Sequence, residues 1–150
     1  MHFEIEKTDV EKQAEQSFTI YSYEEGKPKT QVGFLKIYPH SGRGIYVNGY
    51  YVKRDARIKE EFIRQFYTTP ARMLLLHATK DHGSQRAGCL FKYGTLTPHS
   101  KRITSKLVSE GFFEVHGSNF HVPPEKVKSI KQMDLANPSK EHMERLFSRH

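Results

Sequence analysis

The residues best suited to chemistry cluster at Lys53-Arg54-Asp55, with Arg57 and Lys59 just beyond them. A run of cations around one carboxylate suits the binding of an anion, and a phosphate above all. Ile45, Val47, Tyr50, Tyr51 and Val52 precede the cluster and are β-branched or aromatic, which suits a strand. Ile58, Phe62, Ile63 and Phe66 follow it at steps of three and four, the spacing of one helical face. Asp55 is placed to cap that helix by accepting from a free N–H of its first turn. A helix start offers unpaired N–H groups and the positive end of the helix dipole, so the strand–turn–helix unit over residues 44–67 is a candidate phosphate site. The same stretch also reads as an ordinary strand–helix unit of an α/β domain, and the residues alone leave both readings open.

Composition narrows the setting. The chain has 150 residues, enough for one domain with a real core. Its net charge is +7, and basic residues prevail from Lys53 onward while acids and bases balance over residues 1–50. A polyanion or phosphate-bearing ligand is therefore expected for the second part of the chain. Ten Phe and eight Tyr argue against disorder. The lone cysteine, Cys89, excludes a disulfide within the chain and fits a reducing, cytoplasmic setting. No apolar run approaches the roughly 18 residues of a membrane span, and no signal-peptide core follows Met1. His77, His82, His116 and His121 show no recognised zinc-ligand spacing, so no metal is expected.

The elements that must position these residues follow from pattern. Phe3 and Ile5 alternate before a polar stretch, which predicts a first strand and a short helix within residues 1–16. Residues 18–23, 30–39 and 44–52 read as an antiparallel meander with Gly- and Pro-marked turns at 24–29 and 40–44. The continuous apolar run RMLLLHAT, residues 72–79, is short for a buried helix. It is expected to be a buried strand parallel to residues 44–52. Residues 80–98 form a long polar connection, with His82 and His99 on loop surface and room for a short element around residues 89–93. A helix is predicted over 100–110, with Ile103, Leu107 and Val108 on one face and Gly111 as a left-handed cap. Two strands, 112–115 and 120–122, then flank a hairpin turn, and Pro123-Pro124 ends the sheet. The expected fold is α/β (α+β): a mixed, mostly antiparallel sheet with helices on both faces. Residues 1–124 would form one domain, and residues 125–150 a basic tail in which Met143, Leu146 and Phe147 dock a terminal helix.

Three segments carry a family resemblance. VGFLKIYP, YVNGYYVKRDARIKEEFI and ITSKLVSEGFFEVHG resemble, in order, the third strand, the fourth strand with its pyrophosphate loop and helix, and the late helix of the GNAT family of N-acetyltransferases. The resemblance spans residues 18–122. It implies acetyl-CoA held between the fourth and fifth strands by Val52, Lys53, Arg54, Ala56, Arg57, Ile58 and Lys59, and acetyl transfer to an amine. Arg54 matches the first position of the family's pyrophosphate loop, but Arg57 and Lys59 stand where the family has glycines. Leu107 stands where the family often has a tyrosine that protonates the leaving thiolate. In an active version His77 is the candidate base, with Tyr93 or His99 as acid.

Two other readings compete. KLVSEGFFEVHGSNFHVPPE resembles the end of HicA-type ribonuclease toxins, with His121 two residues beyond the usual place. A non-catalytic derivative could instead bind nucleic acid or a protein partner through Arg64, Lys101, Arg102 and Lys106, with Tyr50, Tyr51, Phe91 and Tyr93 available for stacking.

Overall fold

The computed structural model of the chain describes residues 1–10, 14–40, 44–94 and 96–147. Four long strands come first: β1 His2–Val10, β2 Glu15–Tyr23, β3 Thr30–His40 and β4 Gly44–Val52. Helices α1 Ala56–Phe66 and α2 Pro70–His82 follow, then β5 Cys89–Tyr93 and α3 Pro98–Ser109. A short hairpin of β6 Glu114–His116 and β7 Asn119–Val122 leads to α4 Pro124–Lys131 and α5 Lys140–Leu146. The strands form one mixed sheet in the order β1-β2-β3-β4-β5-β7-β6, in which only β4 and β5 run parallel. The predicted α+β class and mostly antiparallel sheet are therefore present. So is the predicted meander, extended at its edge by β1.

Alternation builds the core. Phe18, Ile20, Leu35, Ile37, Ile45 and Val47 point to one face of the sheet and are buried there. Helix α2 lies across that face, touching β2, β3 and β4. Helix α1 adds Ile58, Phe62 and Phe66, and the two terminal helices add Val127, Ile130, Met143 and Leu146 to the same cluster. No helix among the described residues is long and apolar enough to cross a membrane.

Several expectations are corrected. Residues 72–79 are not a strand: they lie inside α2, and Met73, Leu74, Leu75, Leu76 and Ala78 are all buried. A run that is apolar on every side has no period to read, and its start decides the matter. Thr69 caps the helix by accepting from the Arg72 N–H at 3.2 Å, and Pro70 occupies the first turn, where its missing N–H costs nothing. The parallel partner of β4 is accordingly β5, the short element anticipated around residues 89–93. His82 belongs to the last turn of α2 and His99 to the first turn of α3, so neither sits on a loop.

The predicted short helix within residues 1–16 is replaced by strand. Residues 2–10 are β1 and residue 15 already begins β2, while residues 11–13, like 41–43 of the turn before β4, lie outside the described residues. Polar residues suit β1 because it is an edge strand, where Lys7 reaches Asp81 at 2.7 Å. Ile63 is 38% exposed, because the stripe of α1 runs through residues four apart and leaves it at the margin. Phe112 and Phe113 precede β6 rather than opening it. Their N–H groups bond the Leu107 carbonyl and their rings are buried. Gly111 holds the left-handed conformation predicted for it, with φ 79°.

Asp55 caps α1 as expected, its carboxylate accepting from the Ile58 N–H at 3.1 Å. Replacing Asp55 with Ala should lower the unfolding free energy by about 1 kcal/mol. Asp55→Asn, which keeps an acceptor, should recover most of it. Urea denaturation of the three proteins reads the difference directly.

Candidate functional site

The parallel ladder between β4 and β5 is short: it pairs Ile45, Tyr46 and Val47 with Phe91, Lys92 and Tyr93 and then stops. Immediately beyond, β4 carries a bulge against β3. Ile37 faces Val47 but Lys36 faces Gly49, so Asn48 is an extra residue. A bulge bends its strand and sharpens the twist. Past it, β4 continues to Val52 without β5 beside it, and β5 ends as the chain turns toward α3.

A cleft of about 750 Å³ lies at the end of β4, among the starts of α1 and α2 and the length of α3. Its floor is apolar, with Val32, Val52, Ile58, Ile103 and Leu107. Its rim carries Lys53, Arg54, Lys59, Arg102 and Lys106. None of these five cations makes an ion pair among the described residues. Asp55 is the single acid of the lining, and its carboxylate is engaged as the cap of α1. The first turns of α1, α2 and α3 all contribute to the walls, through Ala56, Ala71 and His99.

The walls are fixed by specific ties. The Tyr50 hydroxyl donates to the Ala71 carbonyl at 2.6 Å, joining β4 to the start of α2. Burial holds that phenol well above its ordinary pKa, so it stays a donor. Arg72 donates to both carboxylate oxygens of Glu110 at 2.5 Å, joining the start of α2 to the end of α3. Its guanidinium also lies 4.6 Å from the centre of the Phe147 ring. The Lys53 N–H donates to the Val32 carbonyl at 2.8 Å, anchoring the basic turn to β3.

His99 is the titratable group of the cleft with capacity to spare. Its Nε2 is enclosed and has no hydrogen-bond partner. Its pKa is lowered by loss of solvent and then by Arg54 and Arg102, so the ring is neutral at pH 7.

Of the predicted cofactor-binding residues, Val52, Lys53, Arg54, Ala56, Ile58 and Lys59 all line this cleft. Arg57 does not: it turns away to Glu24 at 2.8 Å and Glu61 at 3.6 Å. Of the cations assigned to nucleic acid, Arg102 and Lys106 belong to the cleft, whereas Lys101 and Arg64 lie outside it, Arg64 near Glu60 at 3.9 Å. His77 is not brought to the cleft. It sits on α2 with its ring 6.1 Å from that of Phe18, its Nε2 enclosed and unpartnered. Tyr93 is likewise outside the lining, its hydroxyl enclosed beside Phe120 and its pKa raised by burial. The Cys89 thiol, pushed up to about 12 by burial, is inert as a nucleophile.

Arg72 is the cleft residue that pattern reading missed, because it was placed at the start of a strand. The signal for His99 was present in Thr97-Pro98, a cap followed by a first-turn proline. Comparison with protein-family models, with curated proteins and with solved structures gave no match.

His77 makes a prediction independent of the cleft. Burial lowers its pKa from 6.5 to about 4, with smaller effects from Asp81, which raises it, and Lys80, which lowers it further. The unfolded chain therefore takes up a proton near pH 6.5 and the folded chain only near pH 4. Stability should fall through that window, by about 3 kcal/mol in all. Urea denaturation at pH 7 and pH 4 should show this loss, and His77→Leu should remove it. An equal loss in the variant would place the titration elsewhere.

Proposed function

We propose that the cleft binds coenzyme A as an acyl thioester and that the chain is an acyltransferase of the GNAT type, acting on an amine. The observation that carries this reading is the cleft's two-part character: an apolar floor at the end of β4, and an unpaired cationic rim at the start of α1. Coenzyme A has matching parts, a polyphosphate head and a slender amide-bearing arm. The rim offers the phosphates Lys53, Arg54 and Lys59, together with the Ala56 N–H of the first turn.

The residues present fit this ligand. Arg57, at a position where the family has glycine, points to Glu24 and leaves the cleft clear. Lys59, at the other such position, stands on the rim as an added cation. Acetyl-CoA would supply the activated acyl group. His99 is suited to move the proton, since its ring is neutral and its Nε2 is free to accept one or to pass one on. His77, enclosed in the core, has no part in this scheme. Leu107 gives no acid on the late helix, which leaves His99 the only histidine among the described residues of the lining.

Acetyl-CoA, CoA and a short DNA duplex should be tested by thermal shift at low and high salt. A ligand at one hundred times its dissociation constant stabilises by about 2.7 kcal/mol. We expect saturable stabilisation by both CoA compounds that persists in salt. Arg54→Ala should weaken it by tenfold or more, the scale of one charge-assisted hydrogen bond of about 1.5–3 kcal/mol. An anion held between Arg54 and Arg102 favours protonated His99, so affinity should rise as pH falls through the region below 6.5. His99→Gln should flatten that dependence. Stabilisation by DNA alone, lost in salt, would overturn the reading and leave a polyanion-binding surface.

A further inference from the structure

A second group of chemically competent side chains lies on the β6–β7 hairpin, away from the cleft. The cavity beside it, of about 920 Å³, shares no lining residue with the first. Glu114 faces His121 directly across the antiparallel pair, and His116 lies two residues along from Glu114 on the same strand. Period-two alternation puts all three on one face. The sequence E-V-H-G-S-N-F-H thus becomes a ligand set only once the hairpin register is known, which is why spacing alone suggested no metal.

We propose that Glu114, His116 and His121 bind one divalent cation of the zinc class, with a further coordination position open to the neighbouring cavity. The distances suit it. Glu114 Oε2 is 3.6 Å from His116 Nε2 and 3.7 Å from His121 Nδ1. One ligand atom from each residue falls within 4.8 Å of the others. Zinc bonds of about 2.0–2.2 Å place tetrahedral ligands about 3.3–3.6 Å apart, so both distances to Glu114 are close to those around a bound ion.

The histidine at the inner edge is prepared for the role. His121 Nε2 lies 3.0 Å from the Ala87 carbonyl. A carbonyl only accepts, so Nε2 carries the hydrogen and Nδ1 presents its lone pair. That Nδ1 is enclosed and has no hydrogen-bond partner. A backbone carbonyl on the far nitrogen is the usual outer-shell support of a metal-binding histidine. Gly88 makes the contact possible: with φ +87° and a would-be Cβ 2.4 Å from His121 Nε2, no other residue fits there. The His116 and His121 rings stack at 4.6 Å between centres, so the exposed His116 ring must turn to aim its lone pair at an ion shared with His121. Three protein ligands with an open position are the stoichiometry of an exchangeable or catalytic zinc site, whereas structural sites close with four. The cavity onto which it opens is also lined by Asp81 and His82.

The test is zinc titration of the untagged, chelator-treated full chain, by calorimetry and by competition with a chromophoric chelator. Wild-type protein should take up one equivalent. Glu114 and His116 are more than half exposed, so His116→Ala and Glu114→Gln should fold normally. Each should weaken binding at least tenfold. Cobalt should give the intense visible absorption of a four-coordinate ion in wild type and a weak spectrum in His116→Ala. Absence of a stoichiometric zinc ion in the wild type, or undiminished binding by His116→Ala, would overturn the proposal. The second result would assign the ion to other histidines among the nine.

Discussion

The parallel ladder between β4 and β5 is three residue pairs long and ends with β5 itself, at Val47 opposite Tyr93. At the start of the strand, β4 and β5 are pressed together. Gly44 has φ +91°, and a Cβ on it would lie 2.5 Å from the Leu90 carbonyl. Three register positions later the pairing ends, and Asn48 bulges at once. The parallel pair is thus clamped at one end and released at the other. The release leaves backbone edge and apolar side chains without a sheet partner. The first turns of α2 and α3 close in around that gap, held by Tyr50–Ala71 and Arg72–Glu110.

Electrostatics around the opening divide into two groups. Arg57 and Arg72 have found carboxylates and serve architecture. Lys53, Arg54, Lys59, Arg102 and Lys106 have not, although they share one cleft. Like charges gathered around a partly enclosed space repel one another more than they would in open solvent. Selection for stability alone would space them apart or pair them, as it has paired Arg57. His99 registers the same field, its proton affinity lowered by Arg54 and Arg102. A bound polyanion would relieve the repulsion and lift the depression of His99 together. Charge and the proton affinity of His99 are therefore coupled at this cleft.

Much of the fold was legible because short-range signals agreed. Asp55 before the stripe of Ile58, Phe62 and Phe66 marked α1, and Gly111 marked the end of α3. The turn residues at 24–29 marked the meander. The reading failed where long-range burial overrode period. In residues 72–79 every face is covered, so helix and strand leave the same trace, and only Thr69-Pro70 tells them apart. In residues 2–10 the edge position admits polar residues on both faces, which hides a strand. The cleft was half legible for a related reason. Residues 52–59 are contiguous and declared themselves, whereas Arg72, His99, Arg102 and Lys106 join them only through the placement of α2 and α3.

The hairpin histidines were invisible for the opposite reason: their spacing is short, but its meaning depends on register. Slipping β6 against β7 by one residue would turn Glu114 and His116 to the other face from His121. The register is held from inside by Phe120, whose ring packs at 5.6 Å on both Phe113 and Tyr93. It is held from the β5 side by Phe91 opposite Phe120. Tyr93 is also the last residue of the parallel ladder with β4. The packing that fixes the hairpin therefore shares a residue with the point where the sheet parts.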